Sequence, residues 1–239
     1  MDWTQELENT QLKVIDYFGW KVLEEPMYDK FAKTDLTQED VPEMTEVIEK
    51  YVKNKTVALD VGCHYGFFTK FLSEQFKTVH AFDFNNDVFE CFEKNMEKFK
   101  CRNVIKHPYG LGEKQKYVST NDWSNRHQRR GPLGNHIDPN GSVRNQKIKP
   151  LDRLGIEDIG LIMIDTEGYE LNVLRGAVNT IMKYKPVLVV EFYKTKKNKS
   201  DNLTGKYGYN LKQLRHYITN LGYRFRGYLN KVDQIFVYN

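Results

Sequence analysis

Residues 57–66, Val-Ala-Leu-Asp-Val-Gly-Cys-His-Tyr-Gly, constrain the fold more than any other stretch of the chain. Apolar residues run into Asp60, glycines follow at 62 and 66, and an apolar helical pattern starts near Phe67. A strand that ends in an acid and a glycine-spaced turn is how a parallel α/β sheet receives a nucleoside cofactor. The spacing here is Asp-x-Gly-x-x-x-Gly, not the dinucleotide pattern Gly-x-Gly-x-x-Gly, which points away from NAD.

Strand and helix patterns then alternate. Strands are expected at 57–61, 78–82, 103–106, 161–164 and 187–190. Helices follow on Phe67, Phe68, Phe71, Leu72 and Phe76, then on Val88, Phe89, Phe92, Met96 and Phe99, with Asn85 and Asn86 as caps. Leu171, Leu174, Val178 and Ile181 mark another helix, and Leu211, Leu214, Ile218 and Leu221 a last one. Continuous apolar strands separated by helices mean a parallel sheet covered on both faces. Segments 223–228 and 234–238 read as a terminal hairpin around Asn230-Lys231. Residues 1–55 read as an amphipathic helical cap on the domain at 56–239. Leu7, Leu12, Ile15 and Phe18 share one face, and Met44, Val47, Ile48, Tyr51 and Val52 another, with Asp40 and Pro42 near the second helix start. The stretch 119–147 is an irregular insert rich in Gly, Pro and Arg, and 194–206 is a lysine-bearing loop.

The acids at the strand ends give the cofactor. Asp60 ends the first strand, where it can order an ammonium group. Asp83 ends the second, roughly 20 residues on, where a nucleoside site needs an acid for the ribose hydroxyls. Phe82 or Phe84 can flank the adenine, and Tyr109-Gly110-Leu111-Gly112 supplies small residues beside it. Gly62 and Gly66 let the backbone approach the ligand. With the terminal hairpin, this set fits S-adenosylmethionine (SAM). Cys63 is read as a small filler in the turn, while His64 and Tyr65 can close over the cofactor or touch substrate.

Asp165-Thr166-Glu167 follows the fourth strand, and Glu191 ends the fifth. Carboxylates at that edge can take a proton from a substrate hydroxyl, hold a substrate amine, or bind a divalent cation. Glu167 can instead cap the following helix. Glu170 reads as a solvated helix acid, and His107 and His136 are further candidate bases.

Leu59 through Thr69, Asp165 through Leu171, Leu174-Arg175-Gly176-Ala177 and 186–191 together resemble the FkbM family of SAM-dependent methyltransferases. Lys149 through Leu154 is similar to the segment that precedes that family's fourth strand, and Met163 stands where the family usually carries Lys. The likeness spans about residues 56–192. It implies a Rossmann-like α/β fold with a mostly parallel seven-stranded sheet, to which the residue patterns add the C-terminal antiparallel hairpin and the N-terminal helices. It also implies methyl transfer to hydroxyls of sugars, glycolipids or polyketides. Among class alternatives, a nucleic-acid methyltransferase would use Arg126, His127, Arg129 and Arg130 with Trp123 and the lysines at 194–199. A non-catalytic SAM-binding module would keep the turn without the chemistry.

Composition narrows the setting. A net charge of +4 permits an acidic partner without demanding one. No apolar run reaches membrane-span length, and the N-terminal residues lack signal-peptide order. Three cysteines without metal or redox spacing are expected as free thiols in a reducing cytoplasm.

Overall fold

The computed structural model describes residues 14–23, 40–120, 137–138, 145–192, 208–230 and 232–239. Strands β1 (Val14–Tyr17) and β2 (Trp20–Leu23) form a hairpin, and helix α1 (Val41–Tyr51) follows. The chain then alternates β3 (Val57–Val61), α2 (Phe67–Gln75), β4 (Thr78–Phe82), α3 (Asn86–Lys98) and β5 (Val104–His107). Short strands β6 (Gly110–Leu111), β7 (Lys116–Thr120), β8 (Ile137–Asp138) and β9 (Gln146–Lys149) come next. The remainder runs β10 (Ile159–Ile164), α4 (Glu170–Arg175), α5 (Val178–Tyr184), β11 (Val187–Glu191), α6 (Leu211–Asn220), β12 (Tyr223–Tyr228) and β13 (Asp233–Tyr238).

Seven strands form the central sheet in the order β12-β13-β11-β10-β3-β4-β5. The pairs from β11 through β5 are parallel, and β13 closes antiparallel on β11. Strands β3, β10 and β11 are buried along their whole length, which is why their sequences are continuous apolar runs broken only by acids at or near their ends. One sheet face packs on α1 and α2 through Met44, Ile48, Phe71 and Leu72. The other packs on the helices after β10 through Leu171, Leu174, Ile181, Leu214 and Ile218. From β3 the chain moves outward to β4 and β5, then returns to lay β10 on the opposite side of β3. Such a reversal opens a crevice at the carboxyl ends of the two strands, the usual ligand position in an open α/β sheet.

Three sequence expectations change. Residues 14–23 are a β-hairpin, not part of a helical cap. Phe18 (φ 47°) and Gly19 (φ 84°) make its two-residue turn, as a hairpin of this length requires. The helical spacing of Ile15 and Phe18 ran across that turn, while the alternation Trp20, Lys21, Val22 carried the strand signal; Leu7 and Leu12 lie outside the described residues. The helix expected over 171–181 is two, α4 and α5, broken at Gly176 and Ala177. The insert 119–147 is not wholly irregular: its described parts belong to a second sheet, β6-β9-β7-β8, which sends Val118, Ile137 and Ile148 into the main core. The parallel core, its caps and the terminal hairpin stand as expected, with Asn85 capping α3 through the N–H groups of Asp87 and Val88.

Candidate active site

A cavity of about 320 Å³ opens at the carboxyl ends of β3, β4, β10 and β11, a volume within the small-ligand range. Its lining brings together Asp60, Gly62, Cys63, His64, Tyr65, Asp83, Phe84, Gly110, Leu111, Asp165, Glu167 and Glu191. Tyr109 is not among the lining residues. Its hydroxyl meets His107 Nδ1 at 3.0 Å, and the Lys149 ammonium lies 3.8 Å from its ring centroid. His107 is likewise outside the lining, tied to His80 at 2.9 Å and stacked on Phe82. His136, the arginine-rich residues 126–130 and 194–199 lie outside the described residues.

The two loop glycines serve packing against the protein itself. Gly62 has φ +90°, and a methyl there would sit 1.8 Å from the Asp165 carbonyl oxygen. Gly66 has φ +91°, and its methyl would meet Met96 and Phe92. They hold β3 against β10 and the turn against α3, which sets the crevice width. The turn is pinned to β4, since the N–H groups of Gly62 and Cys63 both donate to the Phe82 carbonyl, at 2.9 and 3.0 Å.

Asp83 receives the His64 N–H at 3.0 Å on one oxygen and the Asn85 N–H at 2.9 Å on the other. A carboxylate has about four acceptor positions, so capacity remains for a ligand hydroxyl. Burial raises the Asp83 pKa, and those N–H donors oppose the rise. Asp60, 3% exposed, accepts the Thr69 hydroxyl at 2.5 Å. Burial lifts it to about 6, with the Thr69 bond opposing and Asp83 adding. Phe84, Leu111 and Ile137 make an apolar wall next to Asp83. An acid able to take two hydroxyls beside an apolar slot fits the ribose and adenine of SAM. Cys63 is a buried thiol that lines the cavity, and burial drives its pKa well up. His64 is held neutral, pushed down to about 4 by burial, with Nε2 enclosed and unpartnered.

The acids at β10 and β11 form a second group. Asp165 and Glu191 face each other at the cavity and shift each other's titration. Burial raises Asp165 to about 7, with Asp233, Glu170 and Asp60 adding. Burial and then Asp165 raise the Glu191 carboxyl well above the usual range. Glu167 sits beside them with φ +53°, a conformation uncommon outside glycine, and its pKa is raised by burial and by Asp165. It does not cap the next helix. Among the described residues no side chain caps that helix, and Glu170, at its first position, is 1% exposed rather than solvated and braces the preceding turn. Glu170 Oε1 accepts the Gly168 N–H at 2.8 Å and the Thr166 N–H at 3.3 Å, and Tyr209 lies 3.0 Å from Oε2. A carboxylate suits these backbone donors of the turn that precedes the helix. Tyr209 also bonds the Gly168 carbonyl and receives the Leu171 N–H at 3.3 Å.

Sequence reading missed Thr69, Glu170 and Tyr209 as supports of the site, and Phe67, Phe68, Thr166 and Tyr169 as lining. None of these carried a local signal, since the partners that bury Glu170 and Thr69 are remote in the sequence or ordinary in type. Among the described residues, no trio of His, Cys, Asp or Glu is arranged to hold a metal ion. No helix among them is long and apolar enough to cross a membrane.

Comparison with known proteins agrees with this geometry. The FkbM methyltransferase domain model matches residues 60–225. The chain is similar to the crystal structure of a methyltransferase FkbM from Methylobacillus flagellatus KT, at 17% identity and TM-score 0.54. That match covers 77% of this chain and 44% of the other, so this chain spans under half of that protein's length. A SAM-dependent methyltransferase from Aquifex aeolicus aligns at 14% identity and TM-score 0.48 over 90% of this chain and 98% of its own. Curated proteins give no significant match. The family model covers most of the chain, from the acid of the glycine turn to the terminal hairpin, and the chain belongs to the FkbM family of SAM-dependent methyltransferases.

Proposed function

We propose that the protein methylates a hydroxyl of a sugar, a glycan or another small molecule, with a carboxylate at the β10–β11 edge as the base. The observation that carries this reading is the set of carboxyl groups of Asp165, Glu167 and Glu191 lining one cavity with Asp60 and Asp83, where burial raises Asp165 to about 7, close to neutrality. Asp83 and the wall of Phe84 and Leu111 would hold the nucleoside, and Asp60, fixed by Thr69, the methionine end. SAM, when bound, supplies an electrophilic methyl on a sulfonium. Asp165 would orient the acceptor hydroxyl and take its proton as the oxygen–carbon bond forms and the carbon–sulfur bond breaks, leaving S-adenosylhomocysteine. Phe67, Phe68, Phe84 and Leu111 give the crevice apolar walls that would help align the reacting groups. The chemistry resides in residues 56–239, and the three free cysteines agree with a cytoplasmic setting.

The test is methyl transfer from labelled SAM into a panel of sugars and glycans, with the product linkage identified. An ether methyl is expected, with kcat for Asp165→Asn lower by about 10²–10⁴-fold. Methyl found only on nitrogen or carbon, or full turnover by Asp165→Asn, would exclude the proposed role.

A further inference from the structure

The five acids that line the cavity face no lysine or arginine among the described lining residues. They divide by strand. Asp60 and Asp83 end β3 and β4, and each is engaged, by the Thr69 hydroxyl or by backbone N–H groups. Asp165, Glu167 and Glu191 lie beyond them, at β10 and β11. With neighbouring strands roughly 4.8 Å apart, Asp83 and Glu191 stand at opposite ends of a crevice about 14 Å long. The nucleoside end is therefore separate from the end where the acceptor must enter.

At that far end the carboxyl groups are under-satisfied. Glu191 is 6% exposed, yet its Oε2 is buried without a hydrogen-bond partner. Oε2 of Glu167 is in the same state. Buried acceptors left unpaired cost free energy, and natural structures keep few of them. Asp233 pairs in register with Glu191 across the sheet and adds a further acid behind it, bonded to Asn230 Nδ2 at 2.7 Å. A neutral hydroxyl offers one donor to this group. A protonated amine offers up to three donors with a positive charge, and it suits acceptors that do not converge on one point as a metal site demands.

Resting on the proposed transfer to a hydroxyl, we infer that the acceptor carries a protonated amine held by the unpartnered oxygens of Glu167 and Glu191. The substrate class is thus an amino alcohol or amino sugar, with the hydroxyl to be methylated presented to Asp165. The ammonium also offsets the negative charge of the acids around the transferred methyl.

The experiment pairs amines with their neutral counterparts: glucosamine with glucose, galactosamine with galactose, and ethanolamine with ethylene glycol. Each is assayed for methyl transfer and, with S-adenosylhomocysteine bound, for binding at up to about 10 mM. The amine members are expected to show at least about tenfold higher kcat/KM. Glu191→Gln should erase that preference while the affinity for S-adenosylhomocysteine changes less than about twofold. Equal or better use of the neutral members overturns the inference, as does failure of every amine to bind or react. Tight amine binding unchanged in both Glu167→Gln and Glu191→Gln also overturns it. Failure of S-adenosylhomocysteine itself to bind would instead bring down the underlying reading, and this inference with it.

Discussion

Glu170 shows how a single side chain sets the geometry of its neighbours. Its carboxylate gathers the N–H groups of Thr166 and Gly168, and so fixes the turn that puts Glu167 into the cavity. The strain of Glu167 at positive φ persists because its neighbours are held this firmly. Glu170→Ala should destabilise the fold by about 3 kcal/mol, because it orphans buried donors. Glu170→Gln keeps an oxygen for both N–H groups and an amide toward Tyr209, and should cost about 1 kcal/mol. Urea denaturation of the two variants checks the difference; equal losses would show that the turn does not depend on those bonds. In the sequence, Glu170 has the look of any charged residue in a first helical turn. Its burial depends on Tyr209, 39 positions away, and no local pattern reports that distance. Asp60 and Asp83 were readable because strand and turn place them by local rules alone.

The same division holds for secondary-structure elements. Strands β3, β4, β10 and β11 are legible because central parallel strands must be apolar along their length, and the turns between them carry their own glycines and caps. The hairpin β1–β2 was not, since it is four residues a side and depends on a partner far along the chain. Asn95 of α3, fully buried, receives the Lys21 N–H at 2.7 Å and donates to the Lys21 and Tyr65 carbonyls, each at 2.9 Å. One amide therefore ties the hairpin to the cofactor turn. Asn95→Ala should cost about 2–3 kcal/mol and raise amide exchange both at 20–22 and at 63–66. Exchange that rises in the hairpin alone would mean that the two are not coupled. The small sheet of β6 to β9 escaped notice for a similar reason: its strands are two to five residues long, and non-local pairing alone defines them.

Over the whole molecule, buried titrating groups give stability a pH profile. Asp60 and Asp233 rise to about 6 and Asp165 to about 7 from an ordinary 3.8. Between the unfolded and folded values the native state holds the extra proton, so rising pH favours unfolding. His64 and His107 act in the opposite sense, being depressed to about 4 from 6.5, so they favour folding as pH rises through that window. The two groups oppose each other below about pH 6.5, and above it only the acids remain. The melting temperature of the ligand-free protein should therefore fall from about pH 6.5 to 8 as Asp165 loses its proton, and Asp165→Asn should flatten that fall. A flat wild-type profile would mean that the edge acids are ionised in the fold and well solvated.

The account rests on a nucleoside site at the ends of β3 and β4, and calorimetric titration of S-adenosylhomocysteine into the wild type and Asp83→Ala tests it most directly. The wild type should bind with 1:1 stoichiometry, and Asp83→Ala should bind about 10–100-fold more weakly while still melting cooperatively. No binding by the folded wild type, or undiminished affinity in Asp83→Ala, would contradict it.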